Sequence, residues 1–198
     1  MKKLFLVLTL AVLGLLGAAG AFATDGGFYK ASLQPIPHDP AADGGSNVTG
    51  SAKMFVKGRK VTVDIHASGL TPALPHAMHI HGVLGDANVC PPATADESGD
   101  GLVSLEEGAP FYGPIDVSFT TSGDTSAASG LALERFPVAG ADGNLDYHRT
   151  FTIPKSVAKD LTQLHIVLHG LDLNNSGDYN TLFEAVLPVA CGRIRHHR

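Results

Sequence analysis

Short runs of alternating apolar and polar residues, each bounded by glycine or proline, constrain the fold more than any other feature. In the clearest run, Val61, Val63 and Ile65 would share one buried face of a β-strand. Helical periodicity is nearly absent, and the 198 residues include 23 glycines and 12 prolines, as expected of a fold rich in turns. We therefore predict an all-β protein, a Greek-key β-sandwich or flattened barrel of about eight strands.

The same alternation and the turn residues between the runs divide the chain into elements. Strands are predicted at residues 28–33, 48–56, 61–66, 75–82, 115–120, 131–136, 145–153, 164–169 and 184–194. One short helix is predicted at 154–161, with Pro154 at its start. The long connection from Gly82 to Gly113 is predicted to lack a helix, because Gly108-Ala109-Pro110 would stop one.

Residues 1–23 have the features of a secretory signal peptide. Lys2 and Lys3 precede an apolar run, and Ala21-Phe22-Ala23 provides a small-x-small cleavage site; a transmembrane anchor is the alternative. Cleavage after Ala23 would release residues 24–198 as a periplasmic or secreted protein. Since no linker divides that stretch, we predict one domain, with 192–198 as a flexible tail.

The charge and the two cysteines limit the partners and cofactors. A formal net charge of −5 without a basic block argues against nucleic acid or an anionic membrane as a partner. Export would place Cys90 and Cys191 in an oxidising compartment, where two cysteines most simply pair. A bridge that closes a loop of about 100 residues could contribute ~4–5 kcal/mol to stability. No thiol would then remain for a cysteine-based zinc site, and zinc is not expected.

The segment from Pro75 to Gly82 contains the pattern His79-Ile80-His81. If it forms a strand, Met78 and Ile80 face the core, while the two histidines point together from the other face. Two neutral imidazoles one pleat apart can hold one metal ion, and copper and zinc accept imidazole ligands. The alternative is a pair of surface histidines in an ordinary strand.

A second candidate site lies in the long connection, where twelve residues match the order of an EF-hand calcium loop. Side-chain oxygens, one carbonyl and one bidentate carboxylate would come from Asp96, Ser98, Asp100, Leu102, Ser104 and Glu107. A solvated acidic turn is the alternative. A similar run begins at Asp172, but Phe183 stands at its twelfth position and Glu184 follows one residue late, which favours a turn.

Four motifs resemble those of the copper,zinc superoxide dismutase family. They are Ser68-Gly69-Leu70-Thr71 followed by His76-x-x-His79-x-His81, Cys90 eleven residues after His79, Ile166-Val167-Leu168-His169, and Ala190-Cys191-Gly192. The resemblance covers residues 54–90 and 164–194, under half of the chain. It implies His79, His81 and His169 as copper ligands, His76 as a buried structural residue, a Cys90–Cys191 bridge and superoxide as substrate.

Two departures from that family pattern bear on function. The family's zinc-site histidines have no counterparts before His148, and Pro188 replaces the family's active-site arginine. Without that arginine, an acidic chain attracts superoxide less strongly. The segment Ala77–Gly82 equally resembles the CHRD domain, a secreted β module with no established chemistry.

Other histidines add little to the predicted site. His148 is a further candidate copper ligand, through tertiary pairing of its strand. His165 lies four residues before His169, about 13 Å away in an extended strand, so the two cannot share one ion. If His79, His81 and His169 bind one ion, their ring nitrogens should lie within about 4 Å of each other.

Three functions follow from these patterns. The first is a secreted copper-binding protein of dismutase-like fold, with a structural calcium loop, that dismutates superoxide at a mononuclear copper site. The second is a non-enzymatic CHRD-like module, and the third is a copper carrier. The sequence leaves open whether the protein is an enzyme.

Overall fold

A computed structural model describes residues 26–39, 41 and 46–197. These residues form nine strands: β1 (Gly27–Pro35), β2 (Thr49–Lys57), β3 (Lys60–Ser68), β4 (Met78–His81), β5 (Ile115–Ser118), β6 (Leu145–Thr152), β7 (His165–His169), β8 (Pro188–Arg193) and β9 (Arg195–His196). Three short helices are α1 (Leu105–Tyr112), α2 (Lys155–Asp160) and α3 (Leu182–Val186). The predicted signal peptide lies outside the described residues. Within them, no helix is long and apolar enough to cross a membrane.

All strand pairs are antiparallel, and the strands form one curled sheet that makes a half-barrel in the order β5-β4-β7-β8-β1-β2-β3-β6, with β9 against β1. The predicted all-β flattened barrel is confirmed. Strands β4 and β7 are far apart in sequence but adjacent in the sheet, where His79 lies opposite Val167 and His81 opposite His165. This pairing brings the histidines of both strands onto one face.

The two faces of the β4–β7 pair contact different cores. Met78 and Ile80 join the main apolar core, together with Val61, Val63 and Ile65, as their alternation predicts. The opposite face is covered by the long connection and by the segment before β8. A smaller buried cluster on that side consists of Ile36, Ala95, Val103, Tyr112, Val167 and Cys191.

The predicted disulfide is confirmed. Cys90 and Cys191 are bonded, with their Cα atoms 5.7 Å apart and a sequence separation of 101 residues. The bond joins the long connection to β8, next to the histidine-bearing face of β7. It therefore fixes the covering segment to the sheet at one point.

Two helices occur where the sequence predicts none. α1 continues through Pro110, because Ser104 and Glu107 form a capping box at its start and the Gly113 N–H closes its last turn on the Ala109 carbonyl, 2.8 Å away. α3 occupies the beginning of the strand predicted at 184–194, since Thr181 and Glu184 form a second capping box. The strand begins only at Pro188.

Two further predictions are wrong. Residues 131–136 contain a 3₁₀ turn at Leu133–Arg135 instead of a strand. The tail from 192 is not flexible up to His196, because Gly192 and Arg193 belong to β8 and β9 pairs with Tyr29 and Lys30 of β1. Ile194, fully buried between these strands, anchors the segment. The helix predicted at 154–161 is present as α2, preceded by Pro154.

Candidate metal centre

Three histidines from two strands converge on the covered face of the sheet. His79 and His81 of β4 and His169 of β7 are each 2% exposed, and one ring nitrogen of each lies within 4.8 Å of the others. The Nε2 atoms of His81 and His169 are 3.4 Å apart. The cluster is slightly wider than the spacing expected from the sequence, but the predicted convergence of the three residues is present.

A backbone carbonyl holds the remaining nitrogen of each ring. His81 Nδ1 donates to the Gly113 carbonyl at 2.9 Å, His169 Nδ1 to Val186 at 2.8 Å, and His79 Nε2 to Gly130 at 3.1 Å. Because a carbonyl can only accept, the proton must lie on these nitrogens in the neutral rings. The other nitrogens then present lone pairs toward each other.

These lone pairs have no donor among the described residues. His79 Nδ1 is buried there without a hydrogen-bond partner. The His81 and His169 Nε2 atoms face each other as two acceptors, which is not a stable hydrogen bond. Buried acceptors without donors are costly, and a cation coordinated by three imidazoles would satisfy all of them. The chemistry of the donor set therefore fits a metal ion.

Burial keeps the three imidazoles neutral. Burial, together with the neighbouring His169 and His165, lowers the pKa of His81 to about 3, while the hydrogen bond to Gly113 opposes the shift. Burial also lowers the pKa of His169 to about 4, and it holds the pKa of His79 well below its usual range, with contributions from His169 and His81. The neutral ring is the form that coordinates a metal.

Each orienting carbonyl lies at the end of a helical turn that covers the site. Gly113 follows α1, Val186 is the last residue of α3, and Gly130 follows the 3₁₀ turn Ala127–Ser129. Gly113 has φ 79°, and a Cβ there would lie 2.7 Å from the Gly82 carbonyl carbon, so this position requires glycine. Outer hydrogen bonds of this kind fix the tautomer and orientation of metal-binding histidines.

Sequence reasoning missed these three positioning residues. Each of them orients a histidine through its backbone carbonyl. Every residue has such a carbonyl, so residue type does not show which ones are used. The capping boxes at Ser104–Glu107 and Thr181–Glu184 could have indicated the helices that carry Gly113 and Val186.

A cavity of about 210 Å³ opens onto the histidine cluster. His79, His81 and His169 line its floor, and its walls are aliphatic and aromatic, including Leu105, Tyr112 and Leu131. Among the described residues, no lysine, arginine, aspartate or glutamate lines it. One side of the cluster is thus open to a small molecule.

The other predicted histidines lie outside the cluster. His76 is fully buried, with Nδ1 3.0 Å from the His169 carbonyl and Nε2 3.0 Å from the Thr71 carbonyl, so it links the end of β7 to the turn before β4. His148 lies on the exposed face of β6, where it pairs with Asp64 at 2.6 Å. The structure thus does not bring His148 to the candidate ligands. His165 is buried but is not part of the group.

The predicted calcium loop folds as a compact acidic turn before α1. The Asp96 carboxylate accepts the N–H groups of Gly99 and Gly101, and Asp100 accepts that of Leu102. Glu107 accepts the Glu97, Ser98 and Ser104 N–H groups, and the bonds from Ser104 and Ser98, led by the one from Ser104, lower its pKa to about 2. In the described part of the chain, only the three histidines group closely enough to be a candidate metal cluster.

The loop before α3 repeats this arrangement. Glu184 accepts the N–H groups of Leu173, Asn180 and Thr181, and Asp172 accepts those of Ser176 and Gly177. Glu184 therefore takes the place that Glu107 takes in the first loop, although it comes one residue later than in the twelve-residue pattern. This one-residue difference in spacing is why the similarity of the two loops could not be predicted from the sequence pattern.

Together, the fold and the site define a class: an all-β half-barrel with a buried three-histidine cluster able to hold a metal ion. No family model and no curated protein sequence matches the chain.

Proposed function

We propose that this protein binds one copper ion through His79 Nδ1, His81 Nε2 and His169 Nε2. The observation that supports this is the set of three buried, neutral imidazoles whose free lone pairs converge while backbone carbonyls fix the opposite nitrogens. Copper forms the most stable complexes of the divalent first-row metals with nitrogen ligands. The resemblance of the histidine motifs to those of copper,zinc superoxide dismutases supports the same metal.

The neutrality of the ligand set bears on the oxidation state. No carboxylate of the described residues joins the three rings in the cluster. The cost of burying an ion rises with the square of its charge, so a site of neutral ligands in apolar surroundings favours the monovalent ion. We therefore propose that the site holds copper(I) more tightly than zinc(II).

Metal analysis tests this proposal. The wild-type protein, incubated with excess copper(I) and passed through a desalting column, is expected to retain one copper per chain. His79→Ala should retain less than a tenth as much, because one of three ligands is lost. His148→Ala is the matched control, since it removes an exposed histidine outside the cluster, and it should retain copper fully. Equal copper retention by His79→Ala and the wild type would disprove the site.

Superoxide dismutation is the catalytic candidate. The open side of the cluster would provide the free coordination position that this reaction needs, and the family resemblance supports it. In the described part of the chain, the cavity has no cationic residue to attract the anion. A superoxide assay on the copper-loaded protein tests the candidate. Activity that His81→Ala removes would support catalysis, whereas copper binding without turnover would favour the carrier function.

We also propose that Asp96, Ser98, Asp100, Leu102, Ser104 and Glu107 bind calcium and that this ion is structural. Their order, with Gly101 at the turn, supports the proposal. Calorimetric titration with calcium is expected to detect one site that Glu107→Gln weakens by at least tenfold. Glu106→Gln changes a neighbouring exposed carboxylate and should leave the affinity unchanged. A titration without heat in the wild type would reject the site.

Export is the remaining proposal, with the signal peptide cleaved after Ala23. The disulfide supports it, because such bonds persist in oxidising compartments. Expression of the full chain in a bacterial host, followed by N-terminal sequencing of the periplasmic fraction, is expected to give a chain that begins at Thr24. If neither copper nor calcium binds, a non-enzymatic CHRD-like module becomes the favoured function.

A further inference from the structure

The cavity beside the three histidines differs in polarity between its floor and its walls. The floor consists of imidazole rings, whereas Leu105, Ile115, Leu131 and Val186 provide aliphatic walls. Tyr112 adds an aromatic wall, with its ring centroid 4.7 Å from that of His81. The Tyr112 hydroxyl donates its proton to the Leu105 carbonyl at 3.3 Å, so it has no second proton to donate to a ligand.

The size of the cavity sets the size of its occupant. An apolar cavity of about 150 Å³ accommodates benzene in a well-studied engineered protein. The volume here is about 210 Å³, so a single six-membered ring with a small substituent fits. The rim is accessible, since Leu131 is 59% exposed.

Charge sets the chemical class of the occupant. Since no charged side chain of the described residues lines the cavity, an ionic ligand would lose hydration to the apolar walls and regain interactions only at the metal. An uncharged aromatic ring with one nitrogen donor loses less. Its donor can face the metal while its hydrocarbon contacts the walls, so no buried polar atom stays unpaired.

We propose that this cavity binds a compact, uncharged nitrogen heterocycle whose donor atom occupies the open side of the three-histidine metal site. The inference rests on the copper site proposed above. It defines the preferred ligand of that site as a neutral aromatic donor and not a small anion, so a positive result would count against superoxide dismutation as the catalytic candidate. Tyr112 and Leu105 act as specificity-determining residues, because they contact the ring and not the metal.

Ligand titrations of the copper(II)-loaded protein test this inference, with pyridine and azide as probes and the visible copper absorption as readout. We expect pyridine to shift the absorption with a Kd at least tenfold lower than that of azide. Benzene, which lacks a donor, should leave the absorption unshifted but raise the apparent Kd of pyridine, because it competes for the cavity.

Variants that fill the cavity provide the second arm. Leu105→Trp, and independently Leu131→Trp from the exposed rim, should raise the pyridine Kd at least tenfold without changing the copper content. Val89→Trp is the matched control, because Val89 is 52% exposed and does not line the cavity. It should bind pyridine as the wild type does.

Copper content, measured on the same samples, distinguishes a failure of the proposed metal site from a failure of the proposed ligand preference. Wild-type protein that holds copper but binds azide as tightly as pyridine overturns the inference and leaves the metal site intact. The same holds if both tryptophan variants bind pyridine normally. Wild-type protein that retains neither copper(I), tested as above, nor copper(II) overturns the metal site and the inference together.

Discussion

At the scale of single residues, the candidate site depends on which nitrogen of each imidazole carries the proton. His79 uses Nε2 toward a carbonyl and leaves Nδ1 free, whereas His81 and His169 do the reverse. Because every ring has a carbonyl partner, the position of its proton is fixed, and the three lone pairs are oriented before a metal binds. Preorganisation therefore comes from backbone groups as much as from the ligands themselves.

Gly113 is the residue at which this preorganisation can be tested. Its φ of 79° and ψ of −175° are nearly restricted to glycine, and a Cβ would lie 2.7 Å from the Gly82 carbonyl carbon. Gly113→Ala is expected to lower the free energy of unfolding by about 2–4 kcal/mol, from backbone strain plus the steric clash. It should also weaken copper binding, because the carbonyl that holds His81 is displaced.

Gly58→Ala is the matched control for that substitution. Gly58 also has positive φ, at 62°, but no atom of the described residues lies within 4 Å of the position that a Cβ would take. Its cost should be only about 1–2 kcal/mol, the penalty for a left-handed alanine, and copper affinity should be unchanged. Denaturant unfolding and copper titration measure both quantities. Equal copper affinities for the two variants would contradict the role of Gly113.

At the scale of elements, two acidic loops lead into two capped helices, and each helix ends at a carbonyl that orients one candidate ligand. The loop 96–104 precedes α1 and Gly113, and the loop 172–181 precedes α3 and Val186. Glu107 and Glu184 hold their loops to the first turn of the following helix. The position of His81 and His169 thus depends on two carboxylates, each in the first turn of a helix, that do not touch them.

Glu184 tests this dependence. It is 4% exposed, and its carboxylate accepts three backbone N–H groups that would lose their partner in Glu184→Ala. A hydrogen bond to a charged group contributes about 1.5–3 kcal/mol, so we expect a loss of that order in unfolding free energy. Copper affinity should fall too, because α3 carries the Val186 carbonyl.

The control for Glu184 is Glu134→Ala, which removes an exposed carboxylate. It is expected to change stability by less than about 0.5 kcal/mol and to leave copper binding intact. Thermal unfolding of the metal-free proteins and competitive copper titration give the two measurements. A Glu184→Ala protein with wild-type copper affinity would contradict the claim that α3 positions a copper ligand.

At the scale of the whole molecule, the sequence predicts the sheet better than its cover. Alternation depends on local burial, so the faces of β3, β4 and β7 could be predicted from residue order alone. The three histidines could also be predicted as candidate ligands. Histidine is a known metal ligand, and the motifs that form β4 and β7 both resemble those of the same protein family. The convergence itself depends on the pairing of two strands more than eighty residues apart, which only the resemblance indicated.

What could not be predicted lies in the covering segments. α1 contains Pro110 and Gly108, whose low helix propensity is outweighed by a capping box and by burial of Tyr112. Residues 192–196 are held by strand pairing and by the buried side chain of Ile194, although the residues on either side of Ile194 are basic. In both cases tertiary packing overrides a local preference, and packing is not visible in a single sequence.

The buried histidines make a final prediction about the whole metal-free molecule. Their pKa values are lower in the folded protein than the usual 6.5, at about 3 for His81 and about 4 for both His165 and His169, because burial disfavours the charged ring. The unfolded chain therefore binds more protons below pH 6.5, and stability is lost as the pH falls from 6.5 toward 4. Each such histidine contributes up to ~1.4 kcal/mol per pH unit in that window.

Urea unfolding of the metal-free protein at pH 7.5, 5.5 and 4.5 measures this loss. Little change is expected above pH 7, where both states hold neutral rings, and a steep decrease is expected below pH 6. His148→Ala should retain the same pH profile, since its ring is exposed. Copper-loaded protein should be more stable by a nearly constant amount across this range, because the folded ligands are already neutral down to about pH 4 and metal binding to them releases no proton there. A profile that is flat from pH 7.5 to 4.5 would contradict the burial of neutral imidazoles from which the metal site was inferred.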